Sequence, residues 1–545
     1  MILFSTFLIS TIITILLMPI FINLAYKANI LDIPDQRKVH LNPIPRVGGI
    51  AMGLGAFLPI ILWAPIDQFV KSMLIGSGIV VLFGLVDDVK HIGFKPKFAG
   101  QIIAALIVIL YGGLKLNTFG MLAPQGYLMS DWISIPFTLV IVVAVTNAIN
   151  LSDGLDGLAG GISLLTFLCL GYLAYSYDFQ SLETMSVAMI GAIFGLLRYN
   201  THPAVVFMGD SGSQLLGFFA ITISISLTQK CDQLSPVLPL FIVGLPVIDT
   251  LWVIVRRITL HKSPFVADKN HLHHKLMRLG LYHSESVISI YLMHASLVCI
   301  AFIFRSKSDW FLLSLYCLLC GIIATTAFFA VRSNWKIKRY DFIDKIIKGR
   351  LRTLKDETNL IKFSFKGAEI MFISLIICSC FLPAHINIYF SYFSMASLFL
   401  IILTWLIKKE WTSGLIEITI FLLIPFLVYF SEKDTVYLLQ TALKNAYTLS
   451  FGLLTFFTLA TLKFTRRSGF KTTPMDILIL LFALVIPNLP DERIQSWQMG
   501  LVAAEIVVLF FSYEVLKVEL RLKTKKLSVA PLVALAIISL RGFIA

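Results

Sequence analysis

Charge is scarce in this chain. Asp, Glu, Lys and Arg together make up 14% of its 545 residues, against 57% hydrophobic, whereas soluble domains carry about a quarter charged residues. The deficit excludes an ordinary water-soluble globule. Charge-poor runs of about 20 residues recur from end to end, each long enough to cross the roughly 30 Å hydrocarbon core of a bilayer. The fold class that follows is all-α, a polytopic transmembrane helical protein. The first run, from Met1 to Tyr26, contains no charge at all. It has no basic region ahead of it and exceeds the core of a signal peptide, so it reads as a retained span.

Cysteine is also sparse. The 7 cysteines sit mostly inside apolar runs, so the Cys317/Cys320 pair reads as buried helix surface rather than as a metal or redox site. No internal repeat is evident. Despite the shortage of charge the formal net charge is +14. In a membrane protein such an excess points to basic cytoplasmic loops rather than to nucleic acid.

Candidate spans lie near residues 3–26, 47–66, 69–86, 98–113, 133–150, 158–176, 184–198, 213–229, 236–255, 287–304 and 310–331, about eleven helices at the usual length. One set of alternate loops holds Lys27, Arg37, Lys38 and Arg46, then Lys90, Lys95 and Lys97, then Arg256, Arg257, Lys262, Lys269, Lys275 and Arg278. The other set offers Lys71, Lys115, Lys230, Arg305 and Lys307. That bias puts the first set in the cytoplasm and the N-terminus outside. Residues 332–366 form the longest polar stretch, basic and amphipathic, and read as a cytoplasmic linker on the inner leaflet. Beyond it, apolar runs near 367–384, 386–406, 413–430, 437–462, 475–489, 498–516 and 528–541 predict about seven more helices. They carry no interpretable motif.

Four clusters break the apolar pattern. Asp87 and Asp88 end the third span, and two adjacent carboxylates at a membrane boundary repel unless a cation or a shared proton relieves them. In NAINLSDGLDGLAGG, Asn147, Asn150, Asp153 and Asp156 recur at three-residue steps, which on a helix end project toward one side. An ionised carboxylate at a helix centre costs roughly 3 kcal/mol, so acids here mark function. A third cluster, YNTHPAVVFMGDSGS, holds Asn200, His202 and Asp210 in a Gly-rich turn before an apolar helix; taken alone, it reads as a helix cap. The fourth, on the loop after the ninth span, combines Arg256, Arg257, Lys262 and Lys269 with His271, His273 and His274. Three histidines in four residues suit zinc, but the neighbouring cations suit a diphosphate better. Jointly the clusters describe a site for an anionic diphosphate, a hard divalent cation and a second anion, which fits phosphoryl transfer.

These clusters in this order resemble the polyprenyl-phosphate N-acetylhexosamine-1-phosphate transferase family. The matching segments are PDQRKVHLNPIPRVGG, GLVDDVKHIGFKPKFAGQ, NAINLSDGLDGLAGG, HPAVVFMGDSGS, LPVIDTLWVIVRR and SPFVADKNHLHHKLMRLG, spanning residues 34 to 280. The segment DKNHLHH looks more like the WecA and TagO branch than the MraY branch. The resemblance implies transfer of N-acetylhexosamine-1-phosphate, with N-acetylglucosamine the expected sugar, from a UDP-N-acetylhexosamine to undecaprenyl phosphate. UMP is released, and the transfer initiates lipid-linked envelope glycan synthesis.

By the same resemblance Asp87 and Asp88 are the catalytic candidates, one taking the acceptor proton or helping to place the metal. Asp210 is the Mg2+ ligand, with Mn2+ as a substitute. Lys97 contacts phosphate; Asn147, Asn150, Asp153, Asp156 and Asn200 shape the nucleotide pocket; His271, His273 and His274 hold diphosphate or sugar. Asp249 and Arg256 match further substrate-binding positions. The domain organisation expected is a transferase membrane domain over 1–331, the linker over 332–366 and an additional membrane region over 367–545. The protein is then a multi-pass protein of the bacterial inner membrane with its active site on the cytoplasmic face, contacting membrane lipid and no nucleic acid; a homodimer is left open. Two rival readings stand beside this one: an MraY-type phospho-MurNAc-pentapeptide transferase, and a non-catalytic transporter or lipid-binding protein on the same fold.

Overall fold

A computed structural model describes residues 2–34, 43–90, 92–124, 126–261, 271–332, 358–383, 386, 388–407, 409–433, 440–464, 499–520 and 525–544. By its own packing the chain divides into two units, Met1–Lys338 with Thr473–Met475, and Arg339–Thr472 with Asp476–Ala545. Among the described residues eleven helices are long and apolar enough to cross a membrane, in keeping with an all-helical polytopic protein.

The first unit runs α1 (Ile2–Ala28), α2 (Gly48–Trp63), α3 (Gln68–Lys90), α4 (Phe94–Leu106, prolonged by a π-turn over Ile107–Tyr111), α5 (Asp131–Leu151), α6 (Leu158–Ser176), α7 (Gln180–Asn200) and α8 (Gly209–Lys230). It continues through α9 (Pro239–Ile242), α10 (Gly244–Thr259), α11 (Leu272–Arg278), α12 (His283–Ile303) and α13 (Asp309–Arg332). Each of the eleven expected spans has a helix. Between α1 and α2 the chain adds a minimal antiparallel ladder, β1 (Leu31–Asp32) with β2 (Ile44–Pro45).

At the centre stands α8, buried along its length and packed by α2, α3, α5 and α6. Its sequence is rich in Gly, Ser and Thr because it faces protein rather than lipid, and small side chains let helices close on one another. The hydroxyls of Thr222 and Ser224 turn back to the carbonyls of Phe218 and Ala220, each at 2.6 Å, so these two are satisfied within the helix itself.

The span expected over 236–255 is broken rather than continuous, with the break at Val243 between α9 and α10. Pro246 has no N–H to give the carbonyl of Ile242 one turn back. That carbonyl accepts the Thr166 hydroxyl of α6 instead, at 3.0 Å.

The second unit, among the described residues, comprises α14 (Thr358–Phe381), α15 (Ile388–Ile407), α16 (Lys409–Lys433), α17 (Gln440–Phe464), α18 (Met499–Leu520) and α19 (Lys525–Ile544). Phe372, Ile424, Leu454, Leu535 and Ile538 are among the side chains of its apolar core. The run expected near 475–489 lies outside the described residues, as do 333–357 of the expected linker. The linker's last residues, from Thr358 on, are already helix.

Candidate active site

The adjacent acids at the end of α3 have different partners. Asp88 is 5% exposed and spends both oxygens on the start of α8. Oδ1 accepts the Asp210 N–H at 2.8 Å, and Oδ2 accepts the Ser211 N–H and hydroxyl at 3.1 and 3.0 Å. It therefore caps that helix from another element, satisfying donors a helix start always leaves open. Gly209 permits this: its φ is +70°, and a Cβ there would lie 2.5 Å from Asp88 Oδ2. Asp87 turns instead to Lys97 on α4, its Oδ2 2.8 Å from Nζ, and the same ammonium pairs with Asp210. The repulsion expected of two neighbouring carboxylates is relieved on one side by amides and a hydroxyl, on the other by a cation.

One turn further along their helices from Lys97 and Asp210 lies a layer of amides. Gln101 donates to Gln214 Oε1 at 2.9 Å, and Asn147 donates to Gln101 Oε1 at 2.5 Å and to the Val143 carbonyl at 2.8 Å. Asn147 thus belongs to a floor under the charged layer. Asn150, in the last turn of α5, accepts the Ser213 hydroxyl of α8 at 2.9 Å.

The three-residue steps from Asn147 do not continue as helix through Asp156. Helix α5 stops at Leu151, and 152–157 form a loop closed by Gly157 at φ +77°. Asp153 lies in that loop; burial first, then Asp210, Asp88 and Asp156, push its carboxyl up to about 7, with Arg46 opposing. The Asp156 carboxylate pairs with His202 Nδ1 at 2.6 Å and accepts the Ala204 N–H at 3.2 Å. Its backbone N–H donates to His283 Nε2 at 3.2 Å. Asp156, His202 and His283 bring ligand-type atoms within 4.8 Å of one another, but these bonds already use the ring nitrogens that face the aspartate. Asn200 braces the same loop, accepting the Gly157 N–H at 3.1 Å and donating to the Val206 carbonyl at 2.9 Å.

The histidines arrive at the start of α11, His271 just ahead of its first residue and His273 and His274 in its first turn. Asp249 of α10 receives His271 Nδ1 at 2.9 Å and the Leu272 N–H at 2.8 Å, while Lys275 sits 5.3 Å over the Trp252 ring. His273 is 4% exposed and presses against the Asp153–Asp156 loop, where a Cβ on Gly154 would collide with its ring. Burial, then His274 and His271, hold the His273 imidazole down at about 3, which favours the neutral ring. His274 lies 4.2 Å from His273, centroid to centroid. Arg256, half-buried, follows Asp249 by about two turns of α10. Lys262 and Lys269 lie outside the described residues.

Several site residues escape sequence reasoning. Gln101 and Gln214 each stand four positions after a candidate acid or base on the same helix, which was the available signal. Arg46 was visible only as a loop cation; in the structure it pairs with Asp32 across the small ladder. His283 and Tyr291, whose hydroxyl donates to the Gly157 carbonyl at 2.6 Å, carried no signal that distinguishes them from ordinary helix residues. As a donor set, Asp87 and Asp210 offer only carboxylate oxygens and converge on a point that already holds a positive group. That chemistry fits a hard divalent cation.

Residues 70–228 match the family model of glycosyl transferase family 4. The chain is 35% identical, over 320 residues, to a probable undecaprenyl-phosphate N-acetylglucosaminyl 1-phosphate transferase of Bacillus subtilis; the match covers 58% of this chain and 88% of that protein. The chain belongs to this family. It is 31% identical over 345 residues to the undecaprenyl-phosphate alpha-N-acetylglucosaminyl 1-phosphate transferase of Escherichia coli K12, covering 60% of this chain and 90% of that one. With a decaprenyl-phosphate N-acetylglucosaminephosphotransferase of Mycolicibacterium smegmatis the identity is 34% over 299 residues, covering 49% and 74%. The resemblance carried by the motifs is therefore sound, and the family is one of membrane transferases. The matches to the Bacillus and Escherichia relatives leave about two-fifths of this chain uncovered.

Proposed function

We propose that the protein transfers N-acetylglucosamine-1-phosphate from its UDP-sugar to undecaprenyl phosphate, releasing UMP, at the cytoplasmic face of the bacterial inner membrane. The observation that carries the reading is Lys97 set between Asp87 and Asp210, at a bundle end where Asp88 fixes the start of α8. An oxygen of the acceptor phosphate forms a bond to the β-phosphorus. The bond from that phosphorus to the bridging oxygen breaks, and its electron pair leaves with UMP. Asp87 accepts the proton of the acceptor phosphate, and Lys97 offsets negative charge on the transferring group. Both oxygens of Asp88 are already bonded to the start of α8, so it acts by holding Asp210 in place.

A divalent cation, when bound, would supply charge neutralisation at the diphosphate; Asp210 would hold it. The neutral His273, beside Gly154, serves as a hydrogen-bonding partner for sugar or diphosphate rather than as a countercharge, while Arg256 supplies positive charge from α10. Asp153, Asp156 and Asn200 shape the nucleotide pocket as loop and brace. Orientation follows from the basic residues. Lys27, Lys90, Lys95, Arg256 and Arg257 lie at helix ends on the side of the site, and the sparser Lys71, Lys115 and Lys230 at the opposite end.

The test is UMP release by purified protein given UDP-GlcNAc, undecaprenyl phosphate and Mg2+, with the lipid product weighed by mass spectrometry. A product heavier by one N-acetylhexosamine-1-phosphate is expected, and none with a UDP-MurNAc-pentapeptide donor. Release from the pentapeptide donor alone overturns the sugar assignment; release from neither overturns the transfer.

A further inference from the structure

Asp249 carries two bonds whose combination is informative. Its Oδ1 accepts the backbone N–H of Leu272, the first residue of α11, and its Oδ2 faces His271 Nδ1 at 2.9 Å. A carboxylate has only lone pairs to offer, so the proton on this second bond belongs to His271 Nδ1. The ring is left with Nε2 directed away from Asp249. His271 is 6% exposed, so it cannot exchange this arrangement freely with water. The next histidine ring, His273, lies parallel to it at 6.0 Å. On α10, Trp252 makes a second attachment to α11 through Lys275.

We propose that Asp249 is a positioning residue that never touches the substrate: one carboxylate sets the His271 tautomer and the start of α11. It thereby presents Nε2 of His271, and the His273 ring beside it, to the diphosphate end of the donor. The role given to His271 rests on the proposed function; the tautomer itself does not. Sequence resemblance grouped Asp249 with the substrate contacts, and the two bonds give it a different task. Metal-bound histidines are oriented by carboxylates in the same manner, and losing that partner costs roughly 10- to 100-fold.

The discriminating variant is Asp249→Asn. Its amide keeps an oxygen for the Leu272 N–H but turns an NH2 toward His271, which forces Nδ1 to accept and moves the proton to Nε2. A fall in kcat/KM for UDP-GlcNAc of roughly 10- to 100-fold is expected in the otherwise native chain. In a His271→Gln background the same substitution should change kcat/KM by less than about twofold, because a residue acting only through another has nothing left to act on. Losses that multiply across the two sites overturn the proposal and make Asp249 a direct contact.

A second measurement depends on neither turnover nor a variant at Asp249. Nitrogen-15 NMR of histidine-labelled protein in bilayers, with His271 assigned by its disappearance in His271→Gln, reads which ring nitrogen carries the proton. A protonated Nδ1 and bare Nε2 are expected; the opposite tautomer sinks the idea. If wild-type protein released no UMP, the transfer reading would fail while this result still decided the tautomer.

Discussion

The two units distribute their buried polar residues differently. In the second unit hydroxyls among the described residues tie helices together, and two carboxyls, Glu432 and Glu505, are buried near one of those ties at Tyr447. The Tyr447 hydroxyl of α17 meets Ser379 of α14 at 2.8 Å and Ser431 of α16 at 3.0 Å, and Thr458 meets Ser512 of α18 at 3.0 Å. Arg541 of α19 donates to the Cys380 and Pro383 carbonyls. Such contacts are the usual glue of membrane helices. In the first unit they converge, with ends of α3, α4, α5, α7 and α8 sending acids, amides and a lysine to one end of the bundle. The first unit is set apart by which groups meet there: acids and a lysine gather at one end of its bundle over a floor of amides.

The harshest way to test this contrast is to remove charge at the convergence point. Asp210→Asn and Asp87→Asn should each lower UMP release by roughly a hundred- to a thousandfold, since the first removes the carboxylate that would hold the cation and the second removes the proton acceptor. Thermal unfolding in detergent should stay near wild type. Asp88→Asn is expected to differ in kind. It weakens a three-bond cap on α8, costing about 1.5–3 kcal/mol, so its unfolding temperature falls together with its activity. An Asp88→Asn protein as stable as the parent would return Asp88 to the same role as Asp87.

The pair also shows how much the sequence could say. Apolar runs of span length located ten of the eleven expected spans of the first unit as single helices, because lipid imposes a length and forbids charge; the run over 236–255 is broken at Val243. The acids, Lys97 and the histidines stood out for the same reason. The division of labour between Asp87 and Asp88 did not, since it depends on which side of one helix turn meets α8, and adjacent positions are alike in a string of letters. The break at Val243 needed the Thr166 hydroxyl from a distant helix, and the step from Asn150 to Asp153 crosses a helix end that Gly154 and Gly157 only hint at. The amide floor hid because Gln and Asn on apolar helices look like isolated exceptions until three helices bring them together.

A milder perturbation sharpens the comparison from within the site. Gly154→Ala places a methyl group against the His273 ring, and overpacking of this kind costs about 1–3 kcal/mol. Either the loop or α11 must yield, which should raise KM for the UDP-sugar about tenfold and leave kcat within a few-fold. An unchanged KM would mean that the contact between loop and histidine does not shape the donor site.

The smallest effect is expected where the comparison predicts none on catalysis. Tyr447→Phe keeps the ring, which packs edge-on to Phe451 with centroids 5.0 Å apart, and deletes only the hydroxyl shared by Ser379 and Ser431. Hydrogen bonds between membrane helices contribute about 0.6 kcal/mol each on average, so the two together should lower the stability of the second unit by about 1 kcal/mol. Every residue given a chemical role lies in the first unit, so UMP release should stay within about twofold of wild type. Measured side by side, a lowered unfolding temperature with full activity would support glue in one unit and chemistry in the other. A tenfold loss of kcat at unchanged stability would break that division, because a hydroxyl that does no more than join α14, α16 and α17 has no route to the transition state.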